Sequence, residues 1–265
     1  MAGCPRICAE ERQDTSQLAE AEPLRILVGC AGWSLPRPEQ GRFPEAGSHL
    51  ERYAARFDAV EINSSFHRPH RPATYARWSA SVPESFRFSV KLPKTITHTL
   101  RLQQAGETLK TFLAEAAGLG DKLGCLLVQL PPSLSFDPAV ATDFFADLRS
   151  RSPVPLACEP RHPSWFTPPV DEILGELGVA RVAADPARVP EAAEPGGAGK
   201  LRYYRLHGSP KMYYSAYSEE YLAALASRLQ AERAAGRTVW CIFDNTTLGA
   251  AAGNALDLCS RLETR

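Results

Sequence analysis

The stretch LLVQLPPSLSFDPAVATDFFADLRSRSPVPLACEPRH (126–162) holds one strand–helix–strand unit. An apolar run closes on Gln129 and breaks at Pro131-Pro132. Asp137-Pro138 then supplies an N-cap acceptor and a proline at the first helical position, and an amphipathic stretch runs on to Ser150. A second apolar run closes on Glu159 and turns at Pro160. The same design recurs in AVEIN (59–63), FSVKLP (88–93), VAADP (182–186), YYRLHG (203–208) and CIFDN (241–245). Each run reads as a buried strand with a polar residue at its carboxyl end. This pattern predicts an α/β fold, a single (β/α)8 TIM-type barrel, with functional groups gathered at the C-terminal ends of parallel strands.

Periodicity places eight strands near 25–30, 57–63, 86–92, 125–130, 154–159, 180–185, 201–207 and 238–244. Helices are predicted over 48–57, 72–82, 108–119, 137–150, 170–177, 218–236 and 249–262. EAAEPGGAGK (191–200) reads as a surface loop by composition. No GxGxxG or P-loop pattern follows the first strand, which weighs against a doubly wound nucleotide-binding sheet and assigns no cofactor. Residues i and i+2 share a strand face. With the polar end residues pointing inward, the interior set is Glu61 and Asn63, Ser89 and Lys91, Gln129, Glu159, Asp185, and Tyr203, Arg205 and His207. The opposite faces come out mostly apolar, as helix-covered strands require.

The 265 residues fit one barrel. Residues 1–23 read as a disordered or loosely attached tail without a secretory core, and 24–265 as the domain. Lys plus Arg and Asp plus Glu are 30 each, so the net charge is zero. That balance argues against holding nucleic acid by bulk electrostatics. No apolar stretch approaches the ~20 residues of a membrane span. Seven cysteines, most inside strand-like runs, read as reduced thiols of a cytoplasmic protein.

On these residues the chain resembles the YecE-like family, a domain of unknown function (72). The motifs are GCAGWS (29–34), YAARFDAVEINSSFHRP (53–69), FRFSVKLPKTITH (86–98), KLGCLLVQLPPS (122–133), EPRHPSW (159–165), YYRLHG (203–208) and FDNTTLGAAAGNALDL (243–258). They are long, in order, and cover nearly everything past the tail. The resemblance implies a TIM-type barrel and no established reaction. Two departures stand out. His67 stands where the family commonly has tyrosine. Phe243-Asp244-Asn245-Thr246 replaces a Phe-Asn-Asn-Asp run, so the family's last carboxylate is missing.

Five strand-end residues have acid–base chemistry to offer: Glu61, Lys91, Glu159, Asp185 and His207. Glu159 is the first choice for proton transfer, set between Gln129 and Asp185. Asn63, Gln129, Arg161 and His162 are read as substrate contacts, together with Trp165, Arg205 and Asn245. Arg161, Arg205 and Lys91 put positive charge where the fold reads its ligand, so a phosphate- or carboxylate-bearing small molecule is expected. The turn after strand eight lies where barrels often seat a phosphate. Glu159, Asp185 and His207 have the donor types for one divalent ion, but with one histidine placed at a strand end no metal is assigned. The leading reading is a hydrolase or lyase. The alternatives are a nucleic-acid phosphodiesterase and a non-catalytic barrel that binds an anion or a protein.

Overall fold

The computed structural model describes residues 24–197 and 199–263; the expected tail, residues 1–23, lies outside the described residues. Strands β1 (Ile26–Cys30), β2 (Ala59–Ile62), β3 (Arg87–Lys91), β4 (Leu123–Gln129) and β5 (Leu156–Glu159) come first. β6 (Val179–Arg181), β7 (Ala183–Asp185), β8 (Gly196–Gly197), β9 (Leu201–Leu206) and β10 (Thr238–Phe243) follow. Helices α1 (His49–Ala54), α2 (Pro72–Ala80), α3 (Gly106–Ala116), α4 (Pro138–Arg151) and α5 (Pro168–Glu176) alternate with the first five strands. α6 (Glu219–Ala234) and α7 (Ala250–Glu263) flank β10. Caps set several starts. Ser48 and Glu51 form a capping box on α1, the Asp137 carboxylate accepts from the amides of Ala139 and Val140 on α4, and Ser218 caps α6.

The strands form two sheets rather than the single closed barrel expected. One has the order β1-β10-β9-β7, the other β2-β3-β4-β5-β6-β8. Their ladders are parallel except for the small β6–β8 pair. Two local features make the seams. Between β1 and β2 the Tyr53 hydroxyl takes the place of a ladder bond: it accepts from the Cys30 amide at 2.7 Å and donates to the Ala59 carbonyl at 3.0 Å. Beyond it, one parallel bridge, Ala31–Glu61, still joins the sheets. At Gly29 a Cβ would lie 2.1 Å from the Ala59 carbonyl oxygen, so only glycine permits this approach. The other seam is Val182. β6 stays with β5, while β7 pairs with β9.

The stretch between β7 and β9, expected as a loop, carries a short 3-10 turn at Pro190–Ala193 and strand β8 instead of a covering helix. Buried Arg181 ties that segment down, donating to both oxygens of Asp171 and to the carbonyls of Glu191 and Glu194.

Side chains from both sheets fill the space between them. Leu27, Tyr203, Trp240 and Ile242 of one sheet pack with Ala59, Cys125, Leu127 and Ala157 of the other. A larger apolar layer, including Val60, Ile62, Phe88, Val90, Leu126 and Val128, packs under the helices. Inward and outward positions therefore alternate as predicted on β2 to β5 and on β9. On the sixth strand they do not. Ala180 is paired with inward Ala157, and Val182 lies in the inner cluster. Ala183 belongs to the outer layer, and Asp185 shares that parity.

Candidate functional site

β2, β5 and β9 aim a carboxylate, a carboxylate and a guanidinium at one point. Arg205 is 0% exposed. Its Nε and Nη2 donate to Glu61 Oε2 and Oε1 at 2.9 and 2.6 Å. Nη1 donates to Glu159 Oε2 at 2.5 Å, and Nη2 also reaches Asp244 Oδ2 at 3.0 Å. Glu61 and Glu159 belong to the six-stranded sheet; Arg205 and Asp244 extend the four-stranded one. The guanidinium thus clamps the two sheets together at their C-terminal end. The sequence reading gives Arg205 to the substrate, but three carboxylates have taken four of its five N–H donors.

His207 completes the ring. Its Nδ1 lies 3.1 Å from Asp244 Oδ2 and its Nε2 lies 3.1 Å from Glu159 Oε1. A neutral imidazole has one donor nitrogen. Two flanking carboxylates therefore match only the imidazolium. Burial works against that charge, but Glu159 and the Asp244 hydrogen bond outweigh it and raise the His207 pKa above its ordinary value. Burial likewise opposes charge on Glu159, and Arg205, Arg161 and His207 overcome it, holding the carboxyl well below the usual range. Asp244 is lowered in the same way, by Arg205 and His207 against its burial. Tyr203 Oη lies 2.9 Å from both Glu61 Oε2 and Ser89 Oγ, donating to the carboxylate and accepting from the serine.

Lys91 differs from these groups. It is 6% exposed, and among the described residues its Nζ has no hydrogen bond and no carboxylate within ion-pair distance. Its contact is the Phe66 ring, 4.2 Å from Nζ to centroid. Burial and then Arg205 disfavour its charge more than Glu61, Glu159 and Asp244 favour it, and the pKa falls to about 8. Arg161, at the mouth, gives Nε to Glu159 Oε1 at 3.0 Å and Nη2 to the Tyr213 hydroxyl at 3.3 Å. His98 packs edge-on to Phe66 at 5.1 Å. Burial and the nearby Lys91, Lys94 and Arg161 push its pKa down. Gln129, paired in register with Glu159, is buried without a hydrogen bond among the described residues. The Asn63 Oδ1 atom is also buried and unpartnered.

Four expected site residues are placed elsewhere. Asp185 lies on the outer face, where its Oδ1 accepts from the Tyr217 hydroxyl at 2.8 Å. His162 caps the 3-10 turn Pro163–Trp165, its Nδ1 2.8 Å from Ser164 Oγ. Trp165 is core: it is 1% exposed, donates Nε1 to the Leu134 carbonyl at 2.9 Å and packs on Phe136. Asn245 gives Nδ2 to the Ser215 carbonyl and to Asn254 Oδ1. In the turn after β10, the Thr247 and Gly249 amides donate to the Tyr213 and Thr246 carbonyls, which occupies donors a phosphate would need. Asp244, Tyr213 and His98 are absent from the sequence-based set. Asp244 was within reach of the two-residue step that aligns Trp240 and Ile242 inward.

A cavity of about 370 Å³ has Ser65, Phe66, Thr95, Thr108, Glu107 and Glu115 in its wall, and none of the ring residues. Phe66 lines it and also contacts Lys91, which is not in its wall. Beside Glu159, Arg161 and His207 there is only about 20 Å³, room for one water. Among the described residues no cluster of three His, Cys, Asp or Glu is arranged to hold a metal ion. Arg205 stands where a cation would neutralise the three acids. No helix among these residues is long and apolar enough to cross a membrane.

The model of the protein family of unknown function DUF72 matches residues 27–265. The chain belongs to the DUF72 family. It is 30% identical over 176 residues to UPF0759 protein YecE of Escherichia coli K12, a match covering 64% of this chain and 62% of that protein. The matched region thus spans about three-fifths of YecE. UPF0759 protein YunF of Bacillus subtilis 168 is 22% identical over 271 residues, covering 90% of this chain and 95% of the relative. Among solved structures, a DUF72 protein of Thermotoga maritima superposes with a TM-score of 0.74 at 26% identity, over 90% of this chain and 99% of that one. A DUF72 protein of Enterococcus faecalis gives 0.72 at 22%, over 91% and 96%. The parallel α/β fold of this DUF72 protein is thereby that of its family.

Proposed function

We propose that this DUF72 protein is an enzyme of the hydrolase or lyase class that binds a phosphate- or carboxylate-bearing small molecule beside Lys91 and works by acid–base chemistry. The observation that carries the reading is the contrast between Lys91 and Arg205. Arg205 spends its charge on three carboxylates, whereas Lys91 is buried with no anion of its own. An ammonium in that position is matched by a ligand's negative charge. Arg161 and Lys94 add positive charge close by. Lys91, with its pKa about 8, gains and loses a proton near neutrality, as an acid–base group must. Glu61, Glu159 and Asp244 hold the scaffold and keep the His207 imidazolium in place. Asn63 and Gln129 are the polar groups left to orient the ligand.

The two sheets act as one barrel in this reading, supported by the Ala31–Glu61 bridge and the Arg205 clamp across the seam. A cytoplasmic setting is supported by five free cysteines among the described residues. Zero net charge favours a small molecule over nucleic acid.

A second reading, a non-catalytic anion-binding barrel, is favoured by the cross-bridging of all three acids, which leaves no carboxylate free as a base. The test is binding first. Inorganic phosphate, added against a chloride control of equal ionic strength, should raise the Tm of the wild type. Lys91→Met should abolish that rise and Arg161→Ala should weaken it. Equal rises in all three proteins would overturn the site. Turnover of a phosphorylated or carboxylated substrate, lost in Lys91→Met, then separates enzyme from binding module.

A further inference from the structure

Four lysine and arginine side chains are buried among the described residues: Lys91, Lys122, Arg181 and Arg205. Lys122 donates to the carbonyls of Ser79 and Val82 at 2.8 and 2.9 Å, with Glu84 at 3.4 Å. Arg181 is gripped by Asp171, and Arg205 by three acids. Of these four, Lys91 alone has neither a hydrogen bond nor an ion pair. A buried ammonium in that state is relieved by losing its proton, and the product is an amine with a free lone pair. A lysine kept only to hold an anion gains from staying charged. A lysine kept as a nucleophile gains from the setting found here.

The surroundings narrow the reaction partner. Phe66 covers the amine on one side. Asn63 follows β2 and Gln129 ends β4, the two strands that flank β3, and the unpartnered Asn63 Oδ1 is an acceptor that suits the hydroxyl of a carbinolamine. Arg161 and Lys94 at the mouth favour a carboxylate or phosphate on the same molecule. We propose that Lys91 condenses through Nζ with the carbonyl carbon of an anionic oxo compound, a 2-oxo acid or a phosphorylated aldehyde, so that the site is that of an imine-forming lyase.

The step needs no oxidant and no co-reactant. The Nζ lone pair forms the C–N bond as the carbonyl π pair moves to oxygen. That oxygen then leaves as water with the two amine protons, and the C=N bond forms. The charged groups facing Lys91 are Glu61 from β2, Glu159 from β5, Arg205 from β9 and Asp244 after β10, and the neutral His98 stands nearby after β3. Three acids keep a protonated imine stable, while Arg205 and burial keep the resting amine neutral enough to react.

The proposal rests on the anionic-ligand reading above and extends it. The sequence has six lysines, which makes its test clean: Lys91, Lys94, Lys110, Lys122, Lys200 and Lys211. The full chain is incubated at pH 7.5 with pyruvate, 2-oxoglutarate or glyceraldehyde 3-phosphate plus sodium cyanoborohydride, and the reduced adduct is mapped by peptide mass spectrometry. At that pH a lysine with pKa about 8 carries on the order of a hundredfold more neutral amine than one at the ordinary 10.5. With at least one probe, Lys91 should label at least tenfold faster than each other lysine, inorganic phosphate should slow the labelling, and Lys91→Arg should lose the adduct while remaining folded by circular dichroism. Labelling spread over Lys94, Lys110, Lys200 and Lys211 with none at Lys91 for every probe overturns the imine. If phosphate still raises the wild-type Tm in that case, the anion site stands and only the covalent step falls. Labelling at Lys91 that phosphate does not slow, with no phosphate effect on Tm, keeps the covalent step and removes the anion site.

Discussion

Arg205 and Glu61, 144 positions apart, meet through two hydrogen bonds with no water-exposed surface on either side chain. The pair joins β9 of one sheet to β2 of the other. It stands just past the seam where the Tyr53 hydroxyl interrupts the ladder. Tertiary ion pairing thus replaces backbone pairing at the C-terminal end. Removing the cation would leave three acids buried around an empty centre. Arg205→Leu should cost roughly 3–5 kcal/mol, the usual penalty for breaking a buried pair from one side. Urea unfolding at pH 7 measures this, and a cost under about 1 kcal/mol would show that the clamp contributes nothing to holding the sheets.

His207 gives a pH signature. Its folded pKa is raised, so its contribution to stability is complete below the unfolded value near 6.5 and is lost as pH rises through the folded value. Glu159 and Asp244 run the other way. Their lowered pKa values contribute stability above 4.5 and 3.8 respectively, and that stability is lost as pH falls below those values. The stability gap between wild type and His207→Gln should be widest between about pH 5 and 6.5 and should shrink toward pH 9. Denaturant midpoints across that range read it directly. A gap constant from pH 5 to 9 would mean that His207 is not held as the imidazolium.

Asp185 sits behind the site, against Tyr217, whose hydroxyl also accepts from the Gly208 amide at 2.8 Å. Asp185→Asn should therefore cost about 1 kcal/mol, one hydrogen bond's worth, and leave phosphate binding unchanged. Loss of the phosphate-induced Tm rise in this variant would return Asp185 to the site.

The strand–helix alternation was legible because it rests on local signals. Asp137 and Ser218 cap their helices, and Glu61, Lys91, Glu159 and His207 end apolar runs. The sixth strand was not legible. Val182, Ala183 and Ala184 are apolar on both faces, so period-two alternation has no contrast there. Arg181 reverses what contrast remains by pointing outward to Asp171. Assuming that a terminal acid faces inward then put Asp185 on the wrong side. Trp165 and Asn245 were misplaced for another reason. Their polar tips serve the remote carbonyls of Leu134 and Ser215, and no local pattern encodes such partners. The two-sheet seam is equally silent in sequence, because a tyrosine one helix away makes it.

Lys91→Met tests whether the site is kept at the expense of stability. The lysine pKa falls from 10.5 to about 8 even after its attraction to Glu61, Glu159 and Asp244 is included. Below pH 8 the folded chain therefore bears the whole cost of that buried charge. Methionine fills a similar volume beside Phe66 without the charge. The variant should gain about 2–3 kcal/mol at pH 7. Because a lysine with a lowered pKa destabilises only while protonated, the gain should fade between pH 8 and 10.5. The same variant should lose its response to phosphate. Added stability together with lost binding is the mark of a residue retained for function. Chemical unfolding at pH 7 and 10 with and without phosphate supplies all four measurements. A variant less stable than wild type at pH 7 would show that Lys91 holds the three acids in place rather than waiting for a ligand.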